Sequence, residues 1–345
     1  MTTPAEPAPF DEAVVLSPEW LARILESGHP GVVPAAAEVV ERIETVATKL
    51  RFRVTYAQQA GAPPALCAKG YFNPRHRRGS RAEADFYRDF AHDLPVRTPP
   101  CVHAAVDEDT GHALVLMHDL VAAGARFLDP LVGYRAAQAA ETLDQLAALH
   151  AATWDDKRPD ASGLFPPRLA SLAGHMTVET LQPLLDDGRA AGIPDDVRRA
   201  DRLLAAMAAM DTLGNSSARC LVHGDLHAGN IYELPDGRPG LIDWQVVQSG
   251  HWAQDIAYHL ATVLPPDELA RTERDLLEHY LHRLAAHGVE PPDREHAWWM
   301  YRAHLPYGLY LWSMTRAVDR PIIEHLTGRL ATAVARHKSL DLLEV

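Results

Sequence analysis

Residues 221–245 read LVHGDLHAGNIYELPDGRPGLIDWQ. Short apolar runs flank a Pro-Asp-Gly tripeptide at 235–237, which is typical of a tight turn. The pattern predicts two short strands joined as a β-hairpin. This hairpin would hold Asp225 and Asn230 on one loop and Asp243 at the end of its second strand.

These three side chains are of the types that phosphoryl transfer requires. A carboxylate such as that of Asp225 can accept the proton of an attacking hydroxyl group. Asn230 and Asp243 offer oxygen ligands for Mg²⁺ bound to nucleotide phosphates. The spacing Asp-x-x-x-x-Asn matches the protein-kinase catalytic loop H-x-D-L-x-x-x-N, with Gly224 in the place of the kinase arginine.

The segments HGDLHAGN (223–230) and LIDWQ (241–245) together resemble the aminoglycoside phosphotransferase and choline kinase superfamily, most of all its ecdysteroid-kinase-like branch. The resemblance implies an α+β, protein-kinase-like fold with two lobes. The N-terminal lobe (1–120) would contain a small antiparallel sheet and bind nucleotide. The larger, mostly helical C-terminal lobe (121–345) would carry the catalytic loop and the acceptor-binding helices. The implied cofactors are ATP, with GTP as an alternative, and Mg²⁺.

The same resemblance gives roles to residues that precede the motif. Lys69, late in a predicted third strand, matches the lysine that holds the α- and β-phosphates. Glu83 lies in a helix predicted over 80–92, with Ser80 as its N-cap, and matches the ion-pair partner of that lysine. Further amphipathic helices are predicted over 134–154, 267–287, 291–315 and 320–338.

The resemblance also implies roles for residues around the nucleotide base and in the catalytic loop. Met117 and Asp119 end a predicted strand and match the hinge between the lobes, where backbone groups hydrogen-bond adenine. His223 is assigned a supporting role. Asp255, at the start of a later helix, is expected to hydrogen-bond the catalytic-loop backbone. We expect His150 to be packed in the core.

One part of the family pattern is missing. Kinases cover the nucleotide phosphates with a glycine-rich loop, because only a backbone without side chains can approach so closely. The corresponding segment, 42–49, contains no glycine. Thr45 and Thr48 are small, and their hydroxyl and amide groups are assigned to cap a phosphate. The departure puts tight nucleotide binding in doubt.

Two other functions stay open at this point. A non-catalytic nucleotide-binding protein built on the same fold would account for the glycine-free segment. A divalent-metal phosphohydrolase would use Asp225, His223 and His227 as ligands, since histidine and carboxylate groups suit transition metals. The complete motif favours the phosphotransferase over both.

Composition limits the kinds of molecule that this protein is expected to bind and the compartment in which it is expected to occur. The chain has 345 residues and a net charge of −13, which argues against non-specific nucleic-acid binding. Three scattered cysteines form neither a disulfide framework nor a zinc motif, which favours a reducing cytoplasm. No apolar run approaches the roughly 18 residues of a membrane span. We expect a monomer or homodimer whose partner is a small molecule with a hydroxyl group, and a mobile tail over 1–12.

Overall fold

The computed structural model describes residues 7–45, 47–73, 80–156, 164–215 and 217–345. The N-terminal part is built on an antiparallel sheet with strand order β1-β2-β3-β5-β4. Its strands are β1 (Val33–Glu44), β2 (Thr48–Gln58), β3 (Ala65–Gly70), β4 (Cys101–Val106) and β5 (Ala113–His118). Helices α1 (Glu12–Val15) and α2 (Pro18–Leu25) precede the sheet, and α3 (Ala82–Asp89) follows β3.

Helix α2 covers the outer face of this sheet. Ser17 caps the helix, because its Oγ accepts the N–H of Trp20 at 3.2 Å, and Pro18 suits the first turn. Trp20 is buried in one core with Leu50 and Phe52 of β2. Since successive strand residues point to opposite faces, the residues of β2 that alternate with these two point to the inner face.

The segment before α1 is more ordered than a mobile tail. Ala8 is buried, and its carbonyl accepts a hydrogen bond from Nδ1 of His112 at 2.9 Å. Residues 1–6 lie outside the described part of the chain. The predicted tail over 1–12 is therefore wrong for residues 8–12, because α1 and the residues before it pack on the sheet.

Helix α3 is shorter than the predicted range of 80–92. Ser80, the expected N-cap, instead donates its Oγ to the carbonyl of Gln245 at 2.9 Å. Arg81 occupies the cap position and forms no side-chain cap. The contact to Gln245 joins segments far apart in sequence, so no local pattern could have predicted it.

The C-terminal part is mostly helical, and the predicted hairpin is present as β8 and β9. Its strands are β6 (Arg126–Phe127), β7 (Cys220–Val222), β8 (Ile231–Glu233), β9 (Pro239–Leu241) and β10 (Gln248–Gly250). Its α-helices are α4 (Ala136–Ala152), α5 (Leu169–Ala173), α6 (Val178–Leu184), α7 (Ala200–Asn215), α8 (Trp252–Val263), α9 (Pro266–Ala286), α10 (Arg294–Met314), α11 (Arg320–His337) and α12 (Ser339–Leu342). Strands β7 and β10 pair, and β6, β8 and β9 form a small sheet. Among the described residues, no helix has the length and apolar character needed to cross a bilayer.

An aromatic stack joins the two parts of the molecule. The rings of Phe86 and Trp244 lie 4.0 Å apart at an angle of 15°, and both side chains are buried. Trp244 directly follows Asp243, and Phe86 lies one helical turn after Glu83. The stack therefore brings α3 against the end of the hairpin, with Glu83 next to Asp243.

Candidate active site

Asp255 of α8 holds the loop that leads to Asp225. Its buried carboxylate accepts the backbone N–H groups of His223 at 2.7 Å and Gly224 at 2.8 Å. His150, which is also buried, places Nε2 3.2 Å from the same carboxylate. Burial by itself raises the pKa of Asp255, but these hydrogen bonds and the His150 charge outweigh burial and lower it. An ionised carboxylate thus fixes the loop backbone.

The loop turns at Gly224, where the kinase motif has arginine. This residue has φ of +80°, a conformation that favours glycine. A Cβ at Gly224 would lie 2.7 Å from the carbonyl oxygen of Val246. Tyr307 of α10 donates its hydroxyl to the Gly224 carbonyl at 2.6 Å. The close packing of the loop therefore requires glycine at this position.

The carboxylate of Asp225 lies half-buried at the end of this loop. Tyr258 donates its hydroxyl to Oδ1 at 2.6 Å, and Trp312 Nε1 donates to the Tyr258 hydroxyl at 2.8 Å. Asn230 Nδ2 donates to the Asp225 carbonyl at 2.7 Å. Burial raises the pKa of Asp225 to about 7, against the Tyr258 hydrogen bond and with the help of the Asp243 charge. A carboxylate with this pKa can accept a proton at neutral pH.

Hydrogen bonds engage both ring nitrogens of His223 and the Nδ1 atom of His227. His223 accepts the N–H of Asp225 at Nδ1 (3.2 Å) and donates from Nε2 to the carbonyl of Ile242 (2.9 Å). His227 Nδ1 accepts the N–H of Gly229 at 3.1 Å, and burial lowers the pKa of His227 to about 4. Across the described part of the chain, no group of three or more His, Cys, Asp or Glu residues is arranged to hold a metal ion. These contacts disfavour the metal phosphohydrolase.

Lys69, Glu83 and Asp243 form a charge cluster between the two parts of the molecule. Lys69 Nζ lies 2.6 Å from Oε2 of Glu83 and 2.9 Å from Oδ1 of Asp243. Burial by itself lowers the pKa of Lys69, but the charges of Asp243 and Glu83 outweigh burial and raise it. Glu83 also accepts the backbone N–H of Trp244 at 3.3 Å. The structure thus brings together three of the predicted site residues.

Asp243 has an unusual backbone conformation, with φ of +65° and ψ of +64°. Such left-handed angles are uncommon outside glycine and cluster at functional sites. The N–H of Ile242, just before it, donates to the carbonyl of Asn230 at 3.0 Å, which fixes the end of β9 beside the loop. Burial raises the pKa of Asp243, but the charge of Lys69 outweighs burial and lowers it. The cluster therefore contains an ionised Asp243.

A cavity of about 300 Å³ lies under the inner face of the sheet and reaches this cluster. Its volume falls within the range of small-molecule sites. The residues that line it are Glu41, Ile43, Lys49, Arg51, Cys67, Lys69, Glu83, Tyr87, Pro99, Met117, His118, Asp119, Leu120, Val121, Phe127, Gly229, Asn230, Ile242 and Asp243.

The hinge at the end of β5 differs in one detail from the prediction. Met117 lines the cavity. The backbone N–H group of Asp119 is not available to a ligand, because it donates to the carbonyl of Ala65 at 3.2 Å. The Asp119 carboxylate accepts a hydrogen bond from Nε of Arg51 at 3.0 Å. Leu120 lines the cavity, and its N–H has no hydrogen-bond partner among the described residues. Leu120 is therefore the available backbone donor of the hinge.

The turn between β1 and β2 does not present the donors that were assigned to it. Thr45 directs both its N–H and its Oγ1 to the carbonyl of Ala47, at 3.3 and 2.6 Å. Thr48 is buried and, by alternation along β2, shares the outer face with Leu50 rather than facing the cavity. Val46 lies outside the described residues. Neither threonine is placed to cap a phosphate.

The family follows from comparison with known proteins. The sequence model of the Phosphotransferase enzyme family (APH) matches residues 39–300, which is more than half of the chain. The chain belongs to this family. The predicted phosphotransferase is thereby confirmed, whereas the ecdysteroid-kinase-like branch stays a prediction. No curated protein sequence matches the chain.

Solved structures similar to this phosphotransferase include choline and ethanolamine kinases. The choline kinase of Cryptosporidium parvum has a TM-score of 0.58 at 13% identity, over 94% of this chain and 96% of its own. The choline kinase of Streptococcus pneumoniae has a TM-score of 0.54 at 13% identity, over 94% and 99%. The Plasmodium vivax ethanolamine kinase has a TM-score of 0.52 at 12% identity, over 91% and 86%. At these identities the likeness shows the fold alone, and the predicted kinase-like α+β fold is confirmed.

Two side chains of the phosphotransferase have the chemistry to hold a Mg²⁺ ion. Asn230 and Asp243 both line the cavity. Because Asn230 Nδ2 donates to Asp225, its Oδ1 remains as an acceptor. Mg²⁺ prefers oxygen ligands and is usually held by one or two carboxylates together with substrate phosphates. An amide oxygen, a carboxylate and the phosphates would form such a set.

Sequence reasoning missed the residues that reach the loop from α8 and α10. Tyr258 was detectable, because it lies three residues after Asp255 and therefore on the same helical face. Tyr307 and Trp312 belong to an aromatic segment whose spacing is equally typical of a packed core. The Tyr307 hydroxyl donates to Gly224 of the loop, and the Trp312 indole N–H donates to Tyr258. Spacing along the sequence cannot identify such partners.

Proposed function

We propose that this protein transfers the γ-phosphoryl group of ATP to a hydroxyl group of a small molecule. The observation that carries the proposal is the junction of Lys69, Glu83 and Asp243 at the cavity, next to Asn230 of the catalytic loop. Strand β3 and helix α3 lie far from the hairpin in sequence, and all three meet at this junction. A buried charge cluster that borders an open cavity is suited to a charged ligand.

Asp225 and the residues of the junction each have a proposed role. Asp225 accepts the proton of the acceptor hydroxyl or orients that hydroxyl. Lys69 binds the α- and β-phosphates while Glu83 remains its partner. Asn230 and Asp243 would hold Mg²⁺, which neutralises charge on the phosphates when bound. Since the transition state of phosphoryl transfer is loose, most of the rate comes from positioning and charge stabilisation.

The nucleotide-binding lobe would end at the hinge, and we place its boundary at residue 120. The inner face of the sheet then forms the roof of the nucleotide site, and the hairpin forms its floor. The N–H group of Leu120 would bind the base.

Nucleotide binding is the first test. Titration calorimetry with ATP and with GTP, each with and without Mg²⁺, would use the wild type and Asp243→Ala. We expect Mg²⁺-dependent binding that Asp243→Ala abolishes. Asp236→Ala is a matched control, because Asp236 lies in the hairpin turn and outside the cavity lining. Failure of the wild type to bind either nucleotide contradicts the proposal.

Turnover is the second test. Release of ADP would be measured across a library of small hydroxyl compounds. We expect Asp225→Asn to keep nucleotide affinity and to lose turnover by roughly 10²–10⁴-fold, since it removes the proton acceptor. Full turnover in Asp225→Asn would contradict its assigned role.

A nucleotide-binding protein without turnover is the second candidate. The observation that favours it is the β1–β2 turn, in which the donors of Thr45 are used within the turn itself. It predicts that the wild type binds nucleotide with Mg²⁺ but releases no ADP with any member of the library.

A further inference from the structure

Lys49 of β2 lies directly across the sheet from Lys69 of β3. The two residues are partners in the antiparallel ladder and both line the cavity, so their side chains lie on the inner face of the sheet. Two residues further along, Arg51 pairs with Cys67, which in turn pairs with Met117 at the hinge. Along the strands, the Arg51–Cys67 pair at the hinge end of the cavity therefore lies about 7 Å from the Lys49–Lys69 pair at its other end. A nucleotide with its base at the hinge would extend its phosphates toward the lysines.

Lys49 is the lysine of this cavity whose ammonium group makes no direct ion pair with the described residues, although its charge acts at longer range to lower the pKa of Asp243. Arg51 and Lys69 each form ion pairs with two acidic side chains. Lys49 forms no hydrogen bond or ion pair with any residue that the structure describes. It is half-buried, so its ammonium group has partial access to solvent and can turn toward an arriving anion.

Among the described residues of the β1–β2 turn, Thr45 offers the phosphates no free donor. This turn contains no glycine, and the N–H group of Thr45 already donates to Ala47. We infer that Lys49 binds the polyphosphate chain of the nucleotide and takes the place of the glycine-loop amides. A lysine suits this task, because it places a compact charge on a long, flexible stem. The inference rests on the proposed function, since it requires a nucleotide in the cavity.

The test is a series of ligands that differ in phosphate number. Calorimetric titrations with ATP, ADP, AMP and adenosine in the presence of Mg²⁺ would compare the wild type with Lys49→Met. We expect ATP to bind roughly ten- to a hundredfold more weakly to Lys49→Met, as for the loss of a hydrogen bond to a charged group. Adenosine affinity should stay within about twofold, and Lys49→Arg should retain most of the affinity for ATP.

Arg53→Met is the matched control. Arg53 is an exposed cation on the same strand but outside the cavity lining, so its loss changes net charge equally without touching the site. We expect it to bind ATP as the wild type does. The difference in ATP affinity between the wild type and Lys49→Met should become smaller at high salt, because salt screens the half-exposed charge of Lys49.

Two results would overturn the inference alone: wild-type ATP affinity in Lys49→Met, or an equal loss for ATP and adenosine. The second result would show that Lys49 supports the strand rather than the phosphates. A wild type that binds no nucleotide would overturn the proposed function and this inference together.

Discussion

The hydroxyl of Tyr258 donates a 2.6 Å hydrogen bond to Oδ1 of Asp225. This hydroxyl is itself fixed, because it accepts the indole N–H of Trp312 at 2.8 Å. A carboxylate held in this way has a defined orientation, and its second oxygen lies 3.4 Å from Nδ2 of Asn230. In the proposed reaction this second oxygen faces the acceptor hydroxyl. In the proposed reaction, Tyr258 therefore acts through Asp225, as a positioning residue.

Replacement of Tyr258 by phenylalanine should lower turnover about tenfold, the equivalent of one hydrogen bond of about 1.4 kcal/mol. Nucleotide affinity should not change, because Tyr258 does not line the nucleotide cavity. The measurement is kcat with the acceptor found in the library, together with the Kd for ATP. Tyr310→Phe is the control, since Tyr310 is buried in α10 and donates to Leu172 instead. Equal kcat values in the two variants would show that the hydrogen bond to Asp225 is not used.

Gly224→Ala tests the packing of the catalytic loop. The substitution imposes a left-handed conformation on alanine, which costs about 1–2 kcal/mol. It also places a Cβ 2.7 Å from the carbonyl of Val246, which adds roughly 1–3 kcal/mol of overpacking. We expect the free energy of unfolding, measured in urea, to fall by the sum of the two costs.

Gly288→Ala is the control that separates these costs. Gly288 has φ of +83°, nearly that of Gly224, but a Cβ there would meet nothing within 4 Å. Its loss of stability should therefore reflect conformation alone, at about 1–2 kcal/mol. Similar losses in the two variants would contradict a steric requirement at Gly224.

Asp255→Asn tests how far the loop depends on a buried charge. Its carboxylate accepts from two backbone N–H groups and faces His150. An amide would replace one acceptor oxygen with a donor, so we expect a loss of about 3 kcal/mol in the free energy of unfolding. Asp195→Asn is the comparison, because Asp195 is an exposed partner of Arg198 and should cost under about 1 kcal/mol. A loss in Asp255→Asn as small as that in Asp195→Asn would argue against the role of Asp255.

The sequence predicted elements whose signals are local. Apolar periodicity placed the helices 267–287 and 320–338 within two residues of α9 and α11. Turn chemistry placed the hairpin, and with it the relation of Asn230 to Asp243. These features depend on neighbouring residues, which is why one sequence suffices.

The errors at Thr48, Ser80 and Asp119 share a different cause, since each depends on a contact between distant segments. Both faces of β2 are covered, so alternation could not tell that Thr48 lies on the outer face with Leu50 while Lys49 faces the cavity. Ser80 was a reasonable cap, but the carbonyl of Gln245 competes for its hydroxyl. Asp119 has the predicted place in the chain, yet its N–H group is taken up by the sheet.

Glu273 of α9 gives a prediction on pH and stability. Arg336 of α11 binds both of its carboxylate oxygens, at 2.7 and 2.8 Å, and His337 Nε2 lies 3.0 Å away. Burial by itself raises the pKa of Glu273, but the hydrogen bonds from His337 and Arg336 outweigh burial and lower it. A carboxylate with a lowered folded-state pKa stabilises the protein above its unfolded pKa, about 4.3 for glutamate. That stabilisation is lost as the pH falls through the folded value.

Glu273→Gln should therefore be less stable than the wild type by about 1–2 kcal/mol at neutral pH, a value discounted because Arg336 is partly exposed. The difference should narrow below about pH 4, because a protonated glutamate resembles glutamine in charge. Urea unfolding of both proteins from about pH 7 to about pH 3 measures this difference directly. A difference that stays constant or widens in acid would show that the ionised carboxylate of Glu273 does not provide the stabilisation.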